Sequence, residues 1–398
     1  MENNKKRNLA IIVPKLTGGG AERVASNLSL HLPEEYHRYI ILYDTEKMDY
    51  SYKGELIDLN AKVIANPLGK IKNFIKRIYK VRKLKKELKI DTTISFMEGP
   101  NIVNIFTKQR DKVIISVRNF KSKSSEGFYG KLYKLLIQVF YNKADIIVVV
   151  SKAIKRDLIE NFGLNEEKII VIYNFYKIEK INELAREVLE DEYIEIFKNP
   201  VINTAGRLTR QKGHWHLIRA FKKVKEEVSD AKLVILGQGK LEAYLKKLTK
   251  DLGLEKDVHF LGYKKNPFKY IARSTVYTFP SLFEGFPNAL CEAMACGVTV
   301  ISSDCKSGPR EILAPDTDIE QQAKEIEYVK YGILLPVCDG NYYDAGDPLT
   351  SEERLLQEAI VKVLSNENLK KKCKTKSREG IKRFHSDIII EQWEKAVN

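Results

Sequence analysis

Glu284 and Glu292 are separated by seven residues within FPSLFEGFPNALCEAMACGVTVIS (Phe279–Ser302). Pro287 suits the first turn of a helix, where its missing N–H is not needed, and the helix is predicted to stop at Gly297. Glu284 then precedes the helix and Glu292 lies on its second turn, so each carboxylate can contact a different part of one ligand. Ionised carboxylates accept hydrogen bonds from the paired hydroxyls of sugars and ribose. A metal pair is poorly supported because no nearby Asp or His completes a coordination set; a solvent-facing Glu292 is the other interpretation.

Three strand–loop–helix turns carry the glycines that a phosphate needs for close approach to the backbone. In AGRLTRQKG, Gly206 is followed by Arg207 and Lys212 ahead of a helix, and two fixed cations there suit a diphosphate. Residues 18–20 are consecutive glycines after the first strand, and Gly237 opens a similar turn. None of the three turns is G-x-G-x-x-G or a Walker loop. A tight turn without ligand and a solvated basic turn remain alternatives.

These residues lie on loops of an alternating pattern of strands and helices. Short β-branched runs such as LAIIVPKL, TTISF and DIIVVVS in the first half, and KLVILG and VTVISSD in the second, alternate with amphipathic stretches. This pattern predicts an α/β protein with two Rossmann-like, doubly wound parallel sheets. We expect a first domain over 1–175, a linker over 176–200 and a second domain over 201–378, and the C-terminal stretch over 379–398 is predicted to be helical.

Charge is distributed unevenly along the 398 residues, whose net charge is +15. Residues 1–175 carry 32 Lys and Arg against 19 Asp and Glu, a balance of +13, whereas residues 176–398 carry 36 against 34. The basic half should therefore face an anionic partner. No apolar run is long enough to span a membrane, and the N-terminus reads as a cytosolic start. The five cysteines form no C-x-x-C pair, and we assign them no function.

The most basic segment is GKIKNFIKRIYKVRKLKKELKI (69–90), with ten Lys and Arg and one Glu. Ile71, Phe74, Ile75 and Ile78 share one face at helical spacing, a pattern typical of helices on anionic lipid surfaces. GFYGKLYKLLIQVFYNKADI (127–146) offers a second apolar, aromatic patch. The alternative is a core-facing helix with a solvated basic face.

In their serial order, several motifs resemble the retaining, nucleotide-sugar-dependent glycosyltransferases of family 4. The resemblance covers nearly the whole chain, and the motifs that carry it are GGGAER (18–23), AGRLTRQKG (205–213), VILGQGKL (234–241), HFLGY (259–263), the segment 279–304 and SGPREIL (307–313). It implies a GT-B fold, with two domains facing across a cleft. It also implies retaining, metal-independent transfer of a hexose or N-acetylhexosamine, from a UDP-sugar by preference, to a polyprenyl-diphosphate-linked glycan during surface polysaccharide or glycoprotein assembly. Such an enzyme would need no cofactor and would be peripheral on the inner face of the cell membrane.

The resemblance also implies roles for individual residues. The diphosphate would be held by Arg207 and Lys212, which with Glu284 and Arg118 form the expected catalytic set. The expected donor-binding positions comprise glycine turns, a base-contacting edge and the Glu-x7-Glu loop: Gly19, Gly20, Gly206, Arg207, Lys212, Gly237, Leu261, Tyr263, Glu284, Gly285, Phe286, Asn288 and Glu292. Among these, Glu292 would bind the ribose and Glu284 the donor sugar, while Gly19 and Gly20 would close over the phosphate from the other domain.

One position departs from the family pattern. Many members carry a histidine in the loop that is ISVRNF (115–120) here, where Arg118 and Asn119 stand instead. A histidine-dependent step is therefore doubtful, and Arg118 becomes a candidate contact for the acceptor or for the donor phosphate. The resemblance also implies that the C-terminal helix, within 379–398, crosses back through Phe384 and Trp393 to pack on the first domain.

Three other classes of protein share some of these features. A basic nucleic-acid-binding protein would show a recognition fold and aromatics interleaved with the basic run, so we expect no nucleic-acid partner. A dinucleotide oxidoreductase would need G-x-G-x-x-G and an acidic ribose residue. A GT-B epimerase would release an epimerised nucleotide-sugar without any acceptor.

Overall fold

The computed structural model describes residues 6–62, 66–120 and 127–398, and the chain forms two compact units. Unit 1 contains Met1–Phe175 and Ser386–Asn398, and unit 2 contains Tyr176–His385. Residues 176–200, which the sequence predicts as a linker, are therefore part of unit 2. The chain re-enters unit 1 at Ser386 and not at residue 379, so Phe384 belongs to unit 2.

Unit 1 is built on a parallel sheet of seven strands in the order β3-β2-β1-β4-β5-β6-β7. The strands are β1 (Arg7–Val13), β2 (Tyr36–Leu42), β3 (Glu55–Asp58), β4 (Thr92–Phe96), β5 (Lys112–Val117), β6 (Ile146–Val149) and β7 (Ile169–Val171). Strand β3 was not predicted, because it has only four residues, ELID, and two of them are charged, as suits the edge of the sheet. The chain order reverses between β1 and β4, which makes this pair the topological switch point of the sheet.

The helices of unit 1 cover both faces of that sheet. They are α1 (Gly20–His31), α2 (Pro67–Glu87), α3 (Glu98–Phe106), α4 (Gly127–Tyr141), α5 (Lys152–Phe162) and α15 (Ser386–Val397). Trp393 of α15 is fully buried, with its ring 6.0 Å from that of Phe96. The C-terminal helix thus supplies part of the core of unit 1.

Unit 2 has a second seven-stranded sheet, ordered β10-β9-β8-β11-β12-β14-β13. Its strands are β8 (Val201–Ala205), β9 (Lys232–Leu236), β10 (Val258–Gly262), β11 (Val276–Phe279), β12 (Thr299–Ser303), β13 (Glu327–Val329) and β14 (Gly332–Leu335). All neighbours are parallel except β13 and β14, an antiparallel edge pair that the sequence pattern did not predict. The switch point of this sheet lies between β8 and β11.

Helices flank the second sheet as well. They are α6 (Ile178–Ala185), α7 (Asp191–Ile194), α8 (His214–Glu227), α9 (Glu242–Asp251), α10 (Phe268–Ile271), α11 (Asn288–Ala295), α12 (Pro309–Leu313), α13 (Ser351–Ser365) and α14 (Glu367–Ile381). The main core packs α8 and α13 against one sheet face, with Trp215 and Phe221 among its fully buried side chains. Helix α6 contacts α10 and α11, which explains why the predicted linker is part of this unit.

Helix α2 contains the basic segment and has two apolar faces. Phe74 and Ile78 pack against the core cluster of β1, β2 and α3, whereas Ile71 and Ile75 are 60% and 61% exposed. The single apolar face expected from the sequence is therefore divided between the core and the surface. Among the described residues, no helix is both long and apolar enough to cross a membrane.

Candidate functional site

The switch point of unit 2 opens because β8 and β11 diverge at their carboxyl ends. The two strands pair only at Ile202–Asn203 with Val276–Tyr277. Beyond that pair, the hydroxyl of Tyr277 bridges the gap: it accepts from the backbone N–H of Ala205 and donates to the carbonyl of Ala205, both at 3.2 Å. The loops that follow the two strands are therefore free to form a ligand site at this edge.

A buried ion pair joins those two loops. Lys212 Nζ lies 2.6 Å from Glu284 Oε1, and the two side chains are only 14% and 8% exposed. The ammonium also lies 4.7 Å from the centre of the Phe279 ring. Lys212 ends a 3₁₀ turn, after which Gly213 has a φ of +60° and approaches the carbonyl of Pro280 so closely that a Cβ would overlap it. This close approach of backbone fixes the position of Lys212.

Glycine backbones hold the neighbouring loops together. A Cβ on Gly237, whose φ is +137°, would overlap the carbonyl oxygen of Gly206. The N–H of Gly237 donates to the carbonyl of Gly262 at 2.8 Å, and that of Gly206 donates to Leu236 at 2.9 Å. The Lys212 stem passes 3.2 Å from the Cβ position of Gly206. The loops after β8, β9 and β10 thus meet directly through main chain.

Helix α11 begins at Asn288, close to the predicted start, and Gly297 follows its end with a φ of +71°. Glu292 lies on the second turn and is 8% exposed, so the solvent-facing interpretation is wrong. Two side-chain contacts fix the turn before and at the helix start: Ser307 donates to the carbonyl of Gly285, and the Tyr176 hydroxyl donates to Asn288 Oδ1 at 2.6 Å.

The remaining predicted donor residues are placed as follows. Phe286 is buried, with its ring 5.7 Å from that of Phe384. Arg207 is exposed beside Gly206, Leu261 is half-buried in β10, and Tyr263 is 73% exposed just beyond it. The edge therefore carries an exposed cation, a paired cation, two buried carboxylates and a helix start, which together can bind an anion beside hydroxyl groups.

His214 begins α8 directly after the Lys212 turn. It is 2% exposed, and burial, with a smaller contribution from the Lys212 charge, lowers its pKa to about 3. The imidazole is therefore neutral near pH 7. It contributes packing beneath the loop and no positive charge for an anionic ligand.

Gly19 and Gly20 lie at the start of α1, at the switch point of unit 1. Gly19 is the N-cap residue, and a Cβ built on it would overlap the carboxylate of Glu22. Glu22 is 8% exposed. The glycine at position 19 thus makes room for a carboxylate of its own helix, which the sequence did not predict.

Arg118 is at the carboxyl end of the same sheet, after β5. It donates to Ser116 Oγ at 3.1 Å and to Asn174 Oδ1, and it lies 5.8 Å from the centre of the Phe96 ring. Arg118, Gly19 and Gly20 belong to unit 1, whereas the other predicted site residues belong to unit 2. In the part of the chain that the structure describes, no group of three or more His, Cys, Asp or Glu could hold a metal ion.

The sequence did not predict the positions of Tyr277 and Glu22 at these two switch points. Tyr277 reads as an ordinary apolar strand residue, and its bridging role depends on strand divergence, which no local pattern signals. Glu22 follows GGGA, and an acid in the first turn of a helix is usually only a favourable partner for the helix dipole.

Comparison with known proteins agrees with this architecture. Residues 18–180 match the family model described as Glycosyltransferase Family 4, and residues 186–328 match the model described as Glycosyl transferases group 1. An uncharacterized glycosyltransferase of Methanocaldococcus jannaschii is 37% identical over 370 residues, which are 89% of this chain and 91% of that protein.

Two further comparisons extend this similarity. The N-acetylgalactosamine-N,N'-diacetylbacillosaminyl-diphospho-undecaprenol 4-alpha-N-acetylgalactosaminyltransferase of Campylobacter jejuni is 31% identical over 95% of this chain and 96% of its own length. The crystal structure of Anabaena HepE in complex with UDP and glucose superposes with a TM-score of 0.72, at 17% identity and over 98% of this chain and 99% of that chain. The chain therefore belongs to the family-4 glycosyltransferases and has their GT-B fold.

Proposed function

We propose that this glycosyltransferase transfers a hexose or N-acetylhexosamine from a UDP-sugar to a polyprenyl-diphosphate-linked glycan, with retention of configuration and without a metal ion. The observation that carries the proposal is the Lys212–Glu284 pair at the switch point of unit 2, with Glu292 buried on the helix that follows. A cation for the diphosphate and acids for sugar and ribose hydroxyls occur there on adjoining loops.

The diphosphate would be held by Arg207 and Lys212. Negative charge grows on the leaving group as the glycosidic bond breaks, and preorganised cations and N–H dipoles stabilise that charge without reorganisation. Glu284 would accept hydrogen bonds from hydroxyls of the donor sugar, and backbone N–H groups around Gly285, Phe286 and Asn288 would donate to that sugar. Glu292 would accept hydrogen bonds from the ribose hydroxyls.

In this scheme the departing diphosphate takes the proton of the attacking hydroxyl, and the new bond forms on the face from which the nucleotide leaves. No side-chain base is then needed, which fits the replacement of the family histidine by Arg118. Because Arg118 is held by Ser116 and Asn174, it offers a fixed guanidinium to an anionic part of the acceptor or donor.

The choice of substrates is supported by the relatives. The Campylobacter jejuni relative is named for an undecaprenol-diphosphate acceptor and an α-linked N-acetylgalactosamine product, and HepE was crystallised with UDP and glucose. The base would lie along Leu261–Tyr263, where β10 ends beside the Gly237 loop.

The acceptor half of the proposal draws on an apolar and basic patch of unit 1. Its apolar members are 43–69% exposed and lie on α2 and α4: Ile71, Ile75, Tyr79, Leu135, Leu136 and Val139. Exposed Lys72, Arg82 and Lys86 are on the same helix α2. The rings of Phe74, Phe106 and Phe140 connect α2, α3 and α4, at 6.2 Å and 4.7 Å, and Phe106 is itself 42% exposed. The side chains of residues 127–133, part of the second predicted patch, lie outside the described residues.

Such a patch suits an anionic membrane surface, where apolar side chains enter the interface and Lys and Arg pair with headgroups. The enzyme would then meet its lipid-linked acceptor as a peripheral protein at the inner face of the cell membrane. Co-sedimentation with vesicles tests this directly. We expect binding to phosphatidylglycerol-containing vesicles that weakens in Ile71→Ser/Ile75→Ser, and equal binding to neutral vesicles would contradict the proposal.

A donor screen tests the reaction itself. UDP-hexoses and UDP-N-acetylhexosamines, with GDP-sugars as the comparison, are incubated with undecaprenyl-diphosphate-linked acceptors, and products are identified by mass spectrometry. Retention is determined from the anomeric coupling constant of the product, measured by NMR. Metal independence is determined from activity in the presence of EDTA.

The variants that test the diphosphate site are Arg207→Ala and Lys212→Ala. Each should lower turnover by roughly 10²–10³, the usual effect of removing one preorganised contact to developing charge. Near-normal turnover by both variants with a UDP-sugar would refute the assignment of the diphosphate site.

A further inference from the structure

Residues 285–288, which lead into α11 and are called the donor loop here, are each held by a different residue of unit 2. The Ser307 hydroxyl donates to the carbonyl of Gly285. Gly308 has a φ of +102° and approaches Pro287 so closely that a Cβ would overlap the proline ring. The turn between β12 and α12 therefore holds two of the four positions of the donor loop.

The other two positions are held by residues from the two ends of unit 2. The ring of Phe286 lies 5.7 Å from that of Phe384, at an interplanar angle of 73°. The hydroxyl of Tyr176 donates to Asn288 Oδ1 at 2.6 Å. Tyr176 is the first residue of unit 2 and Phe384 is the last but one, and both side chains are buried. The two ends of the unit thus meet at the donor loop.

The same two ends are also joined to each other through main chain. The chain enters unit 2 between Phe175 and Tyr176 and leaves it between His385 and Ser386, and we call these two places the crossings. The N–H of Tyr176 donates to the carbonyl of Phe384 at 2.9 Å, and Tyr176 forms an isolated parallel bridge with His385. Tyr176 therefore contacts the other crossing through its backbone and the donor loop through its hydroxyl.

The hydrogen bond from Tyr176 sets the orientation of the Asn288 side chain. An amide has an acceptor oxygen at one end and an NH₂ donor group at the other, so a hydroxyl that donates to the oxygen determines which way the group is turned. Because Tyr176 is only 5% exposed, this bond is not freely exchanged for a bond to water. Asn288 is the first residue of α11, one turn before Glu292. A change at Asn288 therefore acts on the sugar end of the proposed donor site, next to the ribose contact.

We propose that Tyr176 is a positioning residue that links the donor loop to the crossings. Its hydroxyl orients Asn288 for the donor sugar, and its backbone keeps the two crossings paired, so that sugar binding and pairing of the crossings favour each other. Such a link is reciprocal, and each event changes the equilibrium of the other by the same factor. The inference rests on the proposed function, which gives this site a nucleotide-sugar donor.

Three variants and one control test the role of the hydroxyl. Tyr176→Phe removes the hydroxyl and keeps the ring, Asn288→Ala removes its acceptor, and the double variant shows whether the two residues act together. The matched control is Tyr270→Phe on α10. The Tyr270 hydroxyl donates to Glu190 Oε2, also at 2.6 Å, and its ring is also buried, but Tyr270 belongs neither to the donor loop nor to a crossing.

Four quantities are measured for each protein: KM and kcat for the donor, Kd for UDP by calorimetry, and Tm. The donor is UDP-N-acetylgalactosamine, or the UDP-sugar that is fastest in the donor screen. Loss of one hydrogen bond should raise the donor KM of Tyr176→Phe by about 3- to 10-fold. Its kcat and its Kd for UDP should stay within about twofold, because Tyr176 touches neither the reacting atoms nor the nucleotide. The double variant should match Asn288→Ala, and Tyr270→Phe should keep the wild-type KM even where its Tm falls.

Hydrogen exchange of the wild type tests the link without any substitution. The amide of Tyr176 exchanges when its bond to Phe384 opens. Because the link is reciprocal, UDP-N-acetylgalactosamine should slow this exchange by about 3- to 10-fold relative to UDP alone. In Tyr176→Phe, the difference between the two ligands should disappear.

Three results would overturn the inference. If the effects of Tyr176→Phe and Asn288→Ala multiply in the double variant, Tyr176 does not act through Asn288. If Tyr176→Phe lowers Tm but leaves the donor KM unchanged, its hydroxyl is only structural. If the sugar nucleotide and UDP protect the Tyr176 amide equally, the crossings are not linked to the donor loop. Each of these results leaves the proposed function in place, whereas a wild type that transfers sugar from no UDP-sugar overturns the proposed function and the inference with it.

Discussion

Breaking the Lys212–Glu284 pair should destabilise unit 2 as well as slow the reaction. The two charged atoms are 2.6 Å apart, and the side chains are 14% and 8% exposed. Removing one partner of a fully buried pair costs about 3–5 kcal/mol, because the other charge is left unpaired in a region of low dielectric constant. With the slight solvent access here, we expect Lys212→Met to lower the free energy of unfolding by about 2–3 kcal/mol. For a unit of this size, that corresponds to a fall in Tm of roughly 4–12 °C.

Removing the second charge of the pair should restore stability but not activity. Lys212→Met/Glu284→Gln removes both charges, so most of the stability should return, whereas turnover should stay low because the proposed diphosphate site has lost one of its two cations. The control pair is Lys246 and Glu242 on α9, which has almost the same separation, 2.7 Å, but side chains that are 56% and 37% exposed. Its disruption should cost less than about 0.5 kcal/mol.

Tryptophan fluorescence can report each unit separately. The chain has two tryptophans, Trp215 in unit 2 and Trp393 in unit 1. In a Trp393→Phe background, denaturation followed by the emission of Trp215 reports unit 2. The reasoning is refuted if the double variant is no more stable than Lys212→Met, or if the exposed control pair costs as much as the buried one.

Three further predictions concern the same unit. Arg207→Ala should leave the free energy of unfolding within about 0.5 kcal/mol of the wild type, because the side chain is exposed, while it lowers turnover; a large loss of stability would show a structural role. Glu292→Gln should weaken UDP binding about tenfold and remove the preference for UDP over 2′-deoxy-UDP in calorimetry. An unchanged preference would show that Glu292 does not bind the ribose. Burial lowers the pKa of folded His214 to about 3, below the usual value of about 6.5, so the unfolded state binds a proton first and stability is lost as pH falls from about 6.5 towards 3. The loss at pH 5 should be on the order of 2 kcal/mol, and His214→Phe should flatten this dependence in urea denaturation series; an equally steep dependence in that variant would refute the assignment.

Much of the architecture follows from hydrophobic pattern alone. Continuous β-branched runs predicted the central strands of both sheets, because strands buried on both faces need apolar side chains at every position. The strands that were missed, β3, β13 and β14, lie at or near sheet edges. β3 and β13 have only four and three residues, and their side chains are at least partly exposed. β14 is a run of four residues, GILL, which is too short to show a strand pattern.

The placement of α11 and of Glu292 on it was predictable, because these residues are close in sequence to glycine and proline signals. Pro287 and Gly297 bracket α11, and Glu292 follows from that placement. The buried pairing of Lys212 with Glu284 could not be predicted, because it depends on which strands are neighbours in the sheet and the two residues are 72 positions apart. The division of α2 into a core face and a surface face likewise depends on which helices pack beside it.

The direct contact of main chain with main chain around Gly206, Gly237 and Gly262 affects how such an enzyme can evolve. Main chain meets main chain at that junction, so the exposed Tyr263 beside it can change identity without altering this support. Loop length, in contrast, is tightly constrained, since an inserted residue would separate the paired amides. Lineages of this enzyme should therefore acquire new nucleotide preferences by substitution at Tyr263 and rarely by insertion or deletion in these loops.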